Sequence, residues 1–79
     1  MKLFEKKLGK YYLLELTQDK EGNMTITLYK KWSDADSFEA TDNILRFGNT
    51  RQERDRAWLY FDTISLKTLA KTFGWKITK

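Results

Sequence analysis

Cysteine, histidine and proline are all missing from this 79-residue chain, and glycine occurs only four times. Each absence closes a route. Without cysteine, no disulfide can staple a small domain and no zinc–thiolate centre can form. Without histidine, the commonest general base and the commonest transition-metal ligand are gone. Ser33, Ser37 and Ser65 therefore have no imidazole to activate them, and Ser33 and Ser65 stand where helix caps are expected. Gly22, Gly48 and Gly74 are isolated, so no glycine-rich phosphate loop exists. Asp34, Asp36, Glu39 and Asp42 read as a solvated acidic face rather than a divalent-ion site. No catalysis, cofactor or metal is expected. No apolar run approaches the roughly 20 residues of a membrane span, and Glu5, Lys6 and Lys7 interrupt any leader-like start. A cytoplasmic protein without membrane contact is expected.

What remains is a single compact domain, 1–79, that a hydrophobic core must hold alone. Five Phe, four Tyr and three Trp supply large apolar areas for it. Net charge is +4, unevenly placed. Residues 1–31 carry seven Lys against four acids; 33–62 carry four Arg against seven acids; 63–79 carry four Lys and no acid. Basic ends around an acidic middle give a positive side suited to a polyanion.

The stretch Lys10–Trp32 predicts a β-hairpin. Tyr11 to Thr17 is aromatic, aliphatic or β-branched, as a half-buried strand requires. Gln18 to Asn23 is polar and holds Gly22, which fits a type I turn closed by a left-handed glycine. On the return strand Met24, Ile26 and Leu28 alternate with Thr25, Thr27, Tyr29 and Lys31, so register is well specified. Lys2 to Lys7 reads as a lysine-rich edge strand.

After Trp32 the period changes. Ser33 as N-cap, Asp34 and Asp36 in a first turn, and Phe38, Ala40, Thr41, Ile44, Leu45 and Phe47 on one helical arc predict a helix over 34–47 stopped by Gly48. Residues 49–56 read as a charged loop leading to a strand at 57–62; the capping-box spacing of Thr50 and Glu53 keeps open a single helix from Arg51 to Phe61. Ser65 starts a last helix, with Leu66, Leu69, Ala70 and Phe73 on one face and Gly74 at its end, followed by a short strand at Trp75–Thr78. The fold class expected is α+β: a small antiparallel sheet of three to four strands with two amphipathic helices packed on one face, in the order βββαβα. Tyr12, Leu14, Leu16, Met24, Ile26 and Leu28 face inward.

The expected function is a small non-enzymatic binding module acting on nucleic acid or a nucleoprotein complex through the outer sheet face. There Tyr11 and Tyr29 stack on bases while Lys6, Lys10 and Lys31 meet phosphates, with Phe4 extending the face. The alternative is a protein-binding modulator or inhibitor of a larger host protein, as phage and other mobile elements encode, anchored by Trp32, Trp58 or Tyr60.

Overall fold

A computed structural model of the chain describes residues 1–65, 67 and 71. Four strands form an antiparallel meander, β1 (Lys2–Lys7), β2 (Tyr12–Gln18), β3 (Met24–Lys30) and β4 (Glu39–Phe47), in the spatial order β1-β2-β3-β4. One helix among the described residues, α1 (Arg51–Thr63), packs across one face.

The hairpin β2–β3 follows the alternation of its residues. Leu14 pairs with Leu28, Leu16 with Ile26 and Gln18 with Met24. All six residues expected to face inward are buried, and Leu14, Leu16 and Ile26 are fully so. Asp19 builds the turn: its Oδ1 accepts from the backbone N–H of Glu21 (3.0 Å) and Asn23 (2.8 Å), and its Oδ2 accepts from Asn23 Nδ2 (3.1 Å). Gly22 has φ +92°, a region open to glycine at no steric cost.

Hydrogen bonds, first from the Asn23 side chain, hold the Asp19 carboxyl below the ordinary aspartate range. A carboxyl depressed in the folded state contributes stability above its unfolded pKa and loses it as pH falls through the folded value. Asp19→Ala is therefore expected to lower the melting temperature near neutral pH, with the gap to wild type closing in acid. Circular-dichroism melts across that range check it; a gap unchanged by pH would leave the carboxylate without a role in the turn.

The second half of the chain corrects the expected fold. Residues 34–47 are not a helix. Glu39–Phe47 instead forms β4, with Met24 opposite Phe47, Thr25 opposite Arg46, Ile26 opposite Leu45 and Thr27 opposite Ile44. The open edge of β3 offers a full ladder of backbone partners, which a helix would leave unsatisfied. Register then shifts, because Tyr29 faces Ala40. Two extra β4 residues bulge opposite Leu28, and the Thr41 hydroxyl donates to the Leu28 carbonyl at 2.7 Å.

The favoured strand at 57–62 is also overturned. Residues 51–63 are helical, as the capping-box spacing allowed. Thr50 Oγ1 accepts from Glu53 N at 3.2 Å, with Thr50 in extended backbone at φ −71°, ψ 158°. Ala57 and Phe61 are buried on one side of α1, while Leu59 faces solvent. Ile64 is a buried C-cap, donating its N–H to the Tyr60 carbonyl at 2.9 Å. The described elements run ββββα in place of the expected βββαβα. The helix expected from Ser65 to Gly74 and the strand at Trp75–Thr78 lie outside the described residues, apart from Ser65, Lys67 and Lys71.

Candidate functional site

Residues paired across an antiparallel sheet point to the same face. On the side away from α1 this gives three rows: Lys7–Leu13–Tyr29–Ala40, Glu5–Glu15–Thr27–Ile44 and Lys2–Thr17–Thr25–Arg46. Tyr11 lies just before β2 at one end of the sheet, half-buried against the core, and its carbonyl accepts from Lys31 N at 3.0 Å.

Charge at the centre of that face is negative. Glu5 and Glu15 stand directly opposite each other, an unfavourable arrangement unless each finds a partner. Glu5 takes Lys2 Nζ at 3.1 Å, and Glu15 Oε1 accepts from the Tyr29 hydroxyl at 3.1 Å. Burial first, then the Glu15 carboxylate, pushes the Tyr29 phenol above its ordinary range, so it stays a protonated donor.

The expected nucleic-acid residues divide between two faces. Tyr11, Lys10 and Lys31 gather at one corner, and Tyr29 lies in the next row. Lys10 is bound to Asp34 at 3.2 Å, and Lys31 lies 5.2 Å over the Phe38 ring. Lys6 is on the opposite face, paired in register with Leu14. Its ammonium donates to the carbonyls of Phe61 (2.7 Å) and Asp62 (3.1 Å), two of the groups a helix C-terminus leaves unmade. A cation there also suits the helix dipole. The last turn of α1 has no basic residue of its own, so β1 supplies it.

Phe4 also leaves the outer face. Register shifts between Lys2 and Phe4, and this bulge turns both Leu3 and Phe4 toward α1. Leu3 is half-buried against the core. The Phe4 ring is edge-on to Trp58 at 6.3 Å and to Phe61 at 6.1 Å, and Trp58 is edge-on to Phe61 at 6.3 Å. Phe61 is the buried foot of this cluster. Phe4 is nevertheless 58% exposed and Trp58 38%.

Beside the rings a groove of about 420 Å³ runs between α1 and the sheet, lined by Leu3, Gln18, Met24, Arg51, Arg54, Asp55 and Trp58. Neither Arg51 nor Arg54 is in an ion pair among the described residues. The three residues expected to anchor a protein partner do not converge. Trp58 is on this ridge. Tyr60 is half-buried on the other flank of α1, 5.8 Å from Phe47. Trp32, 71% exposed, follows β3 with Lys30 Nζ 4.0 Å over its ring.

Sequence reading placed Phe4 on the outer face and did not single out Arg51 or Arg54. A bulge that flips one aromatic on an edge strand leaves no periodic signal. Adjacent Leu3 and Phe4 in an otherwise charged strand were the available hint.

Among the described residues no group of three or more carboxylates could hold a metal ion, and no helix is long and apolar enough to cross a membrane. Comparison with protein-family models, with curated proteins and with solved structures returns no match to this chain.

Proposed function

We propose that this protein is a binding module without catalysis of its own, and that it docks a larger protein on the ridge where β1 meets α1. One observation carries the reading. Two large aromatic rings, Phe4 and Trp58, stand exposed and in contact with each other beside Arg51 and Arg54. Exposed apolar surface of this kind is costly in a monomer and marks interaction sites. Trp and Arg are also the residue types most enriched among interface hot spots. The outer sheet face has a weaker claim, since its centre holds Glu5 and Glu15 and two of its lysines already have partners.

A second reading keeps single-stranded nucleic acid at the corner formed by Tyr11, Tyr29, Lys7, Lys10 and Lys31. It is favoured by Lys10 Nζ 5.7 Å over the Tyr11 ring and by Lys7 in the same row as Tyr29.

The two readings separate cleanly. Cross-linking of the tagged protein in its native host, scored against Trp58→Ala and Tyr29→Ala, is expected to yield one stoichiometric complex. Trp58→Ala should lose it and Tyr29→Ala keep it, with oligonucleotide binding weak at both low and high salt. Tight oligonucleotide binding that falls steeply with added salt and disappears in Tyr29→Ala would place the function at the corner instead.

A further inference from the structure

The ridge borders an edge of β1 that pairs with no strand among the described residues. Leu8 N donates to the Tyr12 carbonyl at 3.0 Å, and Lys6↔Leu14 and Phe4↔Leu16 continue that register. Alternation along an antiparallel strand turns the N–H and C=O of Phe4, Lys6 and Leu8 toward β2. Those of Glu5 and Lys7 then point the other way, to the side of β1 where no described strand lies. Phe4, with Trp58 beside it, faces α1 next to that edge.

We infer that the partner segment is an extended acidic and apolar strand that adds to β1 as a fifth strand of the sheet. This rests on the ridge being the docking site. Strand addition takes affinity from backbone hydrogen bonds and specificity from alternate side chains. Every second residue of the added strand would face α1, where Phe4 and Trp58 offer an apolar seat. Arg51 and Arg54 flank that seat at the Leu3 end. The residues between would face the other way, beside Lys2, Glu5 and Lys7.

Charge selects the occupant. Glu5 is already answered by Lys2. Lys7, Arg51 and Arg54 are in no ion pair among the described residues, so this edge asks for carboxylates at both ends of an apolar centre. A second copy of this chain fits less well. Antiparallel pairing that sets Glu5 against Lys7 of the other copy also sets Lys6 directly against Lys6, and edge lysines are a known guard against such self-pairing.

The test is a random dodecapeptide display library panned on the full-length protein, followed by synthesis of the enriched peptide. Enriched sequences are expected to hold apolar residues at every second central position, with Asp or Glu toward both ends. Phe4→Ala and Arg54→Glu should each weaken the peptide about tenfold or more, the range of a hot-spot loss. N-methylation of every second peptide amide should abolish binding while methylation of the intervening amides is tolerated, a period of two that helical or loop docking does not produce. Peptides lost with Trp58→Ala but indifferent to the methylation register would overturn strand addition and keep the ridge. Peptides that bind Trp58→Ala as well as wild type would overturn both. No enrichment, with a mass that doubles with concentration and reverts in Glu5→Lys, would assign the edge to a second copy and overturn the inference.

Discussion

Phe61→Ala is expected to cost about 3–5 kcal/mol, the range for deleting a buried aromatic. At roughly 0.05–0.15 kcal/mol per residue, a chain this short holds only about 4–12 kcal/mol in total. The variant should therefore lose at least about a quarter of that stability and melt well below wild type. Phe61 is 2% exposed and joins three parts of the molecule. Its ring meets Phe4 and Trp58, lies 5.6 Å below the Lys6 ammonium, and its carbonyl accepts from that ammonium. Truncation leaves a cavity at the foot of the aromatic cluster and frees α1 from β1. Phe61→Leu keeps most of the volume and should lose less than about 1.5 kcal/mol. Leu59→Ala, two positions away and 62% exposed, should stay within about 0.5 kcal/mol. Urea unfolding of the three variants checks this. A strand at 57–62 would put Leu59 and Phe61 on one face, and equal losses at both would restore that reading.

Hairpin and face assignment were legible in the sequence because strict alternation leaves β2 and β3 one workable register. Met24, Ile26 and Leu28 can be buried together only as a strand. The rest was hidden by two bulges and one wide helix. In β4, the pairs Ile44–Leu45 and Arg46–Phe47 do alternate, but two extra residues opposite Leu28 break the period toward Glu39. What remained of the apolar spacing fitted a helix, and Ser33, Asp34 and Asp36 supplied a convincing false start. Asp42 and Asn43 in mid-segment, both poor helix formers, argued the other way. In α1 the apolar run 57–61 shows no narrow stripe, because Trp58 reaches toward β1 and Tyr60 toward β4 on either side of Ala57 and Phe61. The capping box was the sounder signal there, since it reads the helix end itself rather than the breadth of its buried face. For the candidate site, Trp58 was identified from residue type alone. Its partners Phe4, Arg51 and Arg54 come together only through the β1 bulge and the helix that replaced the expected strand.

A loss of about 2–5 kcal/mol is expected for Ile26→Ala. Ile26 is fully buried at the centre of the helix side of the sheet, with Leu16 on one flank and Leu45 on the other. Leu16 beside it is fully buried and held in the β2–β3 ladder, so the cavity term should persist. Ile26→Val removes one methylene and should cost about 0.5–1.5 kcal/mol. Thr27 is the control, because it is the next residue in the same strand and points to the other face between Glu15 and Ile44. Thr27→Ala should cost no more than about 1 kcal/mol, the worth of a cross-strand pair on a half-exposed face. The flanks extend the test to β4. A helix at 34–47 would bury Ile44 and Leu45 together, whereas the strand sends Leu45 to the core and Ile44 to the outer face. Leu45→Thr should therefore destabilise well beyond Ile44→Thr, which keeps a β-branched side chain on a half-exposed strand. Chemical denaturation of the five single variants and of the Ile26→Ala/Leu45→Thr double variant measures this. The double should fall short of additivity, because the two side chains share one cavity wall across the β3–β4 ladder. Strict additivity would mean that residues 26 and 45 are not neighbours, and with them the β4 register would fall.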